Sequence, residues 1–412
     1  MIHTADTVLP IAAEPIADGA VLVHDGRIAA VGTAAELTAA HPGTPVRPWR
    51  GILTPGLVNA HAHLQYTEYQ DLAAEPTTFG PWITEVSKRR LTYDDAMWAR
   101  SALAGRRAML RTGTTAVADI VTEPAALPAA AGLPGISYLE IVICDDQRWA
   151  DTHRKRLLDA LDSAPADRAV GVSPHALYTL STGVVQASIA VARERGLRLH
   201  PHLAETLDEE RFVRDGNGPL AEFAKRGGCA YDLIGTGSGL RPVALLDKLG
   251  GLGPDTHIAH GVHCDAADRA LLRERGVTVA VCVRSNAVLT AGEPPLADYL
   301  RENSPLALGT DSLASSPSLD LLAEATAARE LARRQGYTEP DLDRRLITAA
   351  TRGGATAMGR TDIGTLTVGS RADLAVFEVP RTADPYRALL DFGAGRCVAT
   401  MLAGSIEFQA GT

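Results

Sequence analysis

The sequence predicts an α/β fold, a (β/α)8 TIM-like barrel with a small β-sandwich domain built from both chain ends. Three observations carry this. Strand-like and helical patterns alternate from about residue 52 to about residue 358, the strand-like runs number eight, and both ends of the chain change to short strands and turns. At 412 residues there is room for a barrel of about 250 residues and a smaller appendage.

The strand-like runs are 52–60, 114–120, 136–143, 169–173, 197–202, 256–260, 277–283 and 305–309, with helical patterns at 95–111, 151–161, 182–195, 265–275, 319–334 and 342–358. Such alternation implies right-handed crossovers and a parallel sheet, and eight units imply closure. The rhythm breaks at 206–248, a Gly-rich excursion containing Gly235-Thr-Gly-Ser-Gly, expected to be a substrate-side loop or lid. Near the N-terminus two short strands flank an Asp25-Gly26 hairpin turn. Residues 1–50 and 362–412 are therefore expected to pair into one β domain beside a barrel at 51–361.

Composition narrows the function. A net charge of -9 without a Lys/Arg cluster that overrides it argues against nucleic acid as a partner. No apolar run reaches the roughly 18 residues of a membrane span. The opening Met-Ile-His-Thr-Ala-Asp lacks the basic region of a signal peptide. Five cysteines without CxxC spacing suggest neither a disulfide framework nor a thiolate metal site. The expectation is a cytoplasmic protein, with a small-molecule substrate as partner and a homodimer allowed.

The chemistry concentrates where strand-like runs end. Residues two apart on a strand share a face, so His61 and His63 in Thr-Pro-Gly-Leu-Val-Asn-Ala-His61-Ala-His63 point the same way, half of a metal site. Later runs end in His202-Leu-Ala-Glu205, Ala-His260-Gly-Val-His263 and Gly-Thr-Asp311-Ser, and His175 follows the fourth run. Reactive groups of such barrels sit at the C-terminal strand ends. Three or four N/O ligands with an open position form a catalytic zinc site, where a bound water's pKa falls to about 7. Glu205 is the natural proton carrier, against a plain surface carboxylate. Asp311 is read as part of the site, against a helix N-cap. His200 is expected to be a packed interior residue, His257 and His263 hydrogen-bonded neighbours, and His3, His24, His41 and His153 solvated. The only lysine between Thr114 and Leu197 is Lys155, in a helical run, so a lysine bridging two metals is missing. One divalent metal is expected, zinc first and iron as the alternative. The HxE…PCxxC pattern of cytidine-type deaminases is absent.

Together these motifs, with Gly309-Thr-Asp-Ser-Leu-Ala-Ser-Ser, resemble the amidohydrolase superfamily over nearly the whole chain. The resemblance is to its mononuclear-metal branch, with guanine, adenosine, S-adenosylhomocysteine and aminodeoxyfutalosine deaminases and the triazine chlorohydrolases. It implies that His61, His63, His202 and Asp311 hold the metal and that Glu205, His260 and Asp311 are catalytic. Glu205 would shuttle protons, and His260 would hold the hydroxide or the leaving group. The segment Phe79-Gly-Pro-Trp-Ile-Thr-Glu-Val is most similar to aminodeoxyfutalosine deaminases of menaquinone biosynthesis, and His175 matches a ribose contact. The sequence departs at Gln65-Tyr66, where Glu-Phe or Glu-Leu is usual, and at Ser316-Pro317, where Ser-Asn is usual. Glu85 is the candidate for gripping ribose hydroxyls. Trp82, Arg148 and the Lys88-Arg89-Arg90 cluster are candidates for meeting a carboxylate on the substrate; for the cluster a solvated helix end is the alternative. The implied function is a metal-dependent hydrolytic deaminase releasing ammonia from an adenine-type nucleoside. Aminodeoxyfutalosine is the first candidate substrate; the alternatives are an S-adenosylhomocysteine, methylthioadenosine, adenosine or guanine deaminase, or a chlorohydrolase or cyclic amidohydrolase using the same metal. A non-catalytic scaffold is the least favoured.

Overall fold

A computed structural model describes residues 1–411. Strands Leu57–Ala62, Thr114–Val121, Gly135–Ile141 and Ala169–Pro174 pair in parallel in that order. His202–Leu203, His257–His260, Thr278–Val281 and Leu306–Leu308 form a second parallel run. Two seams join them. On one side Leu199 bridges Val172 and Thr256. On the other, the Asp311 N–H donates to His61 O at 3.0 Å, and the Asn59 amide both donates to Thr310 Oγ1 (2.7 Å) and accepts from Thr310 N (3.2 Å). The eight strands thus close into a barrel. Helices such as Asp95–Arg111, Thr182–Glu194, Ala266–Glu274 and Leu321–Arg334 follow its strands. Strands buried on both faces explain why the runs read as continuously apolar rather than alternating.

Two strands differ from expectation. The run at 52–60 serves two sheets. Ile52–Pro55 lies between Ile2–Val8 and Leu374–Phe377 in the sheet of the chain ends, and only Leu57–Ala62 enters the barrel. The chain passes between them at Gly56, where a Cβ would collide with the Thr115 side chain. The run at 197–202 keeps only the bridge at Leu199 and the ladder His202–Leu203. Pro201 between them has no N–H to donate.

The end sheet has eight strands. Their order is Ser405–Gln409, Cys397–Leu402, Leu374–Phe377, Ile52–Pro55, Ile2–Val8, Ile16–His24 and Arg27–Thr33, with Val46–Pro48 paired on Ile2–Val8. The sheet curls until Arg27 bridges Arg371. One core then takes Val21, Val23 and Ile28 from the N-terminal side and Leu374, Val376 and Met401 from the C-terminal side, so the sandwich is a single folded sheet. His3, expected to be solvated, is 2% exposed because Trp49 covers it and donates from Nε1 to His3 Nδ1 at 3.1 Å.

The excursion after barrel strand five is helical rather than open loop, with Leu207–Asp215, Pro219–Arg226 and Pro242–Lys248. Gly216, Gly218 and Gly227 cap these helices, Gly216 closing the first at φ 68°, whereas Gly235, Gly237 and Gly239 lie in the connection between the second and third. Residues after strand one form 3-10 turns at Leu64–Ala73 and the helix Phe79–Arg90. Among the described residues, no helix is long and apolar enough to cross a membrane.

Candidate active site

The structure brings His61, His63, His202, Glu205, His260 and Asp311 to one end of the barrel, all buried. Three positions there have left-handed backbone: Ala204 (φ 54°), His260 (φ 75°) and Asp311 (φ 57°). Such residues turn the chain sharply as it leaves a strand, and the cost of that conformation is held by surrounding bonds. Glu209 supplies two of them, accepting from the N–H of Ala204 (3.0 Å) and of Glu205 (2.8 Å). Burial pushes the Glu209 carboxyl up to about 8.

A relay of imidazoles fixes the protons. His200 Nδ1 lies 2.9 Å from the carbonyl of His257, which can only accept, so His200 carries its proton there and offers a lone pair at Nε2. His61 Nδ1, 2.9 Å from that Nε2, must be the donor. His61 Nε2 is left as a lone pair with no partner, buried and turned into the site. His200 is thus no bystander of packing; it sets which nitrogen of His61 is free.

Four atoms converge on one point. His63 Nε2 is 3.3 Å from His202 Nε2 and 3.4 Å from Asp311 Oδ1, and His61 Nε2 is 3.5 Å from that oxygen. With metal–ligand bonds of about 2.1 Å, the edge of a tetrahedron is about 3.4 Å. These edges match a divalent ion held among the donors, and the groups His61, His63, Asp311 and His61, His202, His260 are each close enough to hold one. Asp311 is oriented by three donors to its carboxylate: Ser312 N (2.7 Å), Ser285 Oγ (2.7 Å) and Ser315 Oγ (2.8 Å). Burial keeps the site imidazoles neutral, the ligand form, by lowering the pKa of His61, His63 and His202.

Beside this cluster, His260 Nε2 lies 3.6 Å from Glu205 Oε1. His260 Nδ1 is 3.1 Å from Asn286 Oδ1 and donates to it, which leaves Nε2 as an acceptor. Burial, with the nearby Asp311 charge, raises the Glu205 carboxyl well above the usual range and so favours its protonated form. A buried carboxylic acid next to a free imidazole lone pair can hand a proton on.

The cluster floors a cavity roofed by Trp82, Ile83 and Val86 of helix Phe79–Arg90 and by Phe223. Trp82 spends its N–H on Ala314 O (2.8 Å), so it shows the cavity only its ring. His175 lines the cavity, with Nδ1 at 2.9 Å from Thr179 Oγ1. Arg148 and Glu85 do not reach it. The Arg148 guanidinium donates to Ile143 O (3.3 Å), Gly227 O (3.1 Å) and Cys229 Sγ (2.9 Å), tying the helical excursion to strand three. Glu85 points outward to Arg89 (3.4 Å) and Lys88 (3.8 Å). Of the Lys88-Arg89-Arg90 cluster only Arg90 lines the cavity, paired with Glu123 at 3.1 Å. Glu140 lines it too, and sequence reasoning passed over this residue. A carboxylate inside the apolar run Ile136-Ser-Tyr-Leu-Glu140-Ile-Val-Ile was the signal available.

A model of the Amidohydrolase family matches residues 52–406. The 5-methylthioadenosine/S-adenosylhomocysteine deaminase of Nitratidesulfovibrio vulgaris (strain DP4) is 34% identical over 378 residues, covering 88% of this chain and 80% of that protein. The chain belongs to the amidohydrolase family. Another relative, the 8-oxoguanine deaminase of Pseudomonas aeruginosa, is 29% identical over 431 residues, 94% of this chain and 89% of its own. Among solved structures, an adenosine deaminase from Xanthomonas campestris with bound zinc superposes with a TM-score of 0.82 at 26% identity, covering 99% of this chain and 92% of that one. Like these amidohydrolases, the protein is a hydrolase acting on C–N bonds other than peptide bonds.

Proposed function

We propose that this amidohydrolase is a metal-dependent deaminase that releases ammonia from an adenine-type nucleoside. The observation that carries the reading is Glu205, a buried carboxylic acid 3.6 Å from His260 Nε2 and beside the convergent His/Asp donors. His61, His63, His202 and Asp311 would hold one divalent ion, zinc first and iron as the alternative. Bound there, the ion supplies the Lewis acidity that brings a water's pKa to about 7. Asp311 then takes a proton from the attacking water, and His260 Nε2 accepts the hydrogen bond of its remaining O–H. Glu205 delivers its proton to the ring nitrogen next to the amine-bearing carbon, which makes that carbon electrophilic. A second proton, passed from Asp311 through Glu205, converts the amine to departing ammonia. The remaining hydroxyl proton returns to Glu205 as the base becomes the oxo form, so one water enters, one ammonia leaves, and Glu205 and Asp311 end as they began. Chloride departs without a proton, whereas the amine must be protonated to leave, which ranks the chlorohydrolase reading second.

All five cysteines are free and buried, in keeping with a reducing, cytoplasmic setting. The test measures ammonia release and kcat/KM for aminodeoxyfutalosine, S-adenosylhomocysteine, methylthioadenosine, adenosine and free bases. The 5′-extended nucleosides should win. Preference for free bases or triazines would overturn the nucleoside reading and leave the metal hydrolase.

A further inference from the structure

The departure at Gln65-Tyr66 has a structural counterpart. Gln65 Oε1 accepts from Glu123 N at 3.1 Å, so its amide nitrogen faces Thr122 Oγ1 at 2.7 Å and donates to it. The Tyr66 hydroxyl lies 3.3 Å from the same oxygen. Thr122 therefore has its one proton free for Glu140 Oε2, at 2.6 Å. This chain of donors aims Glu140. Its side chain is 3% exposed, and its other oxygen, Oε1, has no partner. That oxygen sits 4.0 Å from His175 Nε2. The Thr179 hydroxyl donates to Ala176 O (3.1 Å) and so accepts from His175 Nδ1, which leaves His175 Nε2 as a second lone pair.

We propose that Glu140 Oε1 and His175 Nε2 form a paired hydrogen-bond acceptor in the cavity wall, which selects substrates by a hydroxyl-bearing sugar, with Gln65 and Thr122 as positioning residues. Two acceptors side by side welcome O–H and N–H donors and repel carboxylate, phosphate and ring-nitrogen lone pairs. An oxygen about 2.8 Å from each fits across a 4.0 Å gap, as do the two oxygens of a vicinal diol, one on each acceptor. The inference rests on the proposed function in taking the ligand to be a nucleoside, and it adds what part of the nucleoside is read and by which residue.

The experiment measures dissociation constants by calorimetry on metal-loaded Glu205→Gln protein, in which turnover is suppressed, for adenosine, 2′-deoxyadenosine, 3′-deoxyadenosine and adenine. Adenosine should bind about tenfold or more tighter than at least one deoxy analogue, since an unmatched buried acceptor is costly. Adding Glu140→Ala should erase that preference while leaving adenine binding and metal content unchanged. Thr122→Val should lose much of the preference, and Thr122→Ser, which keeps the hydroxyl, should restore it. If the preference survives Glu140→Ala and Thr122→Val alike, the proposal is overturned. It is equally overturned by a metal content of two per chain that falls to one in Glu140→Ala, because Glu140, His175 and His202 are also grouped closely enough to hold an ion. Ammonia release by the wild type without any hydroxyl preference sinks the acceptor pair alone. Hydroxyl preference without ammonia release sinks deamination alone, and failure to bind any nucleoside sinks both.

Discussion

The two ends of this barrel bury polar groups in opposite ways. At the C-terminal end of the strands, His61 Nε2, His260 Nε2 and Glu140 Oε1 are buried with no partner. At the other end Arg168 is buried just as deeply, yet its guanidinium donates to Ser137 Oγ (2.9 Å), Leu133 O, Pro134 O and Val117 O (3.0 Å each). It thereby stitches three neighbouring strands. Buried polar atoms are nearly always satisfied within the protein, so a cluster of unsatisfied ones marks where something else is meant to bind. The same barrel holds a cluster of partnerless reactive groups at one end and a fully bonded arginine at the other.

The sharpest test sets His202→Ala against that contrast. It should abolish detectable turnover and the bound metal together, a loss beyond about 10⁴-fold, while the apo-protein keeps its fold. Elemental analysis and ammonia release check this, and full metal content in the variant would remove His202 from the ligand set. Glu205→Gln comes next. Removing a general acid typically costs about 10²–10⁴-fold. The metal should stay, because Glu205 lies beside the ligands rather than among them, and near-normal kcat would end the proton-carrier reading.

Arg168→Met should behave in the reverse manner. The four hydrogen bonds vanish and buried carbonyls lose a charged donor, which costs about 3 kcal/mol in stability. Denaturant unfolding should show the loss, while kcat per folded molecule stays at the wild-type value. A fall in kcat at unchanged stability would mean that the two ends are coupled.

How much of this was written in the sequence follows from the same contrast. His61, His63, His202, His260 and Asp311 stood out because each is a charged or metal-binding type at the end of an apolar run, and period-two alternation places such residues on the inner face. Glu140 did not, because it sits inside a run and its environment comes from Thr122 and His175 on other strands. Arg148 and Glu85 misled for the converse reason. Both are in segments near the cavity, but the carbonyls of Ile143 and Gly227 and the side chain of Arg89 claim them first, and such pairings are tertiary facts. The alternation of strands and helices revealed the barrel but could not show that Pro55-Gly56 divides one run between two sheets, since both halves are equally apolar.

His3 is one of several residues outside the site, with Thr114, Tyr138 and Tyr386 among the others, whose buried atoms lack a partner. His3 Nε2 is buried and unpartnered in the end sheet. Its other nitrogen accepts from Trp49, so the ring is held neutral. Burial, aided by the N-terminal ammonium and Arg47, lowers its pKa to about 4 from 6.5. Between those values the unfolded chain binds a proton that the folded protein refuses, so stability rises with pH across that window. The contribution is complete above pH 6.5, is lost as pH falls toward about 4, and changes no further below it. At 1.36 kcal/mol per pKa unit it is about 3 kcal/mol. His3→Phe removes the titration and the hydrogen bond together. Its destabilisation relative to wild type should therefore be largest at pH 7.5 and shrink by that amount at pH 4, as read from paired denaturant melts. A destabilisation equal at both pH values would show that His3 is protonated alike in folded and unfolded chains. Its bare nitrogen would then have found a partner, and the contrast between the barrel's two ends would extend to the whole molecule.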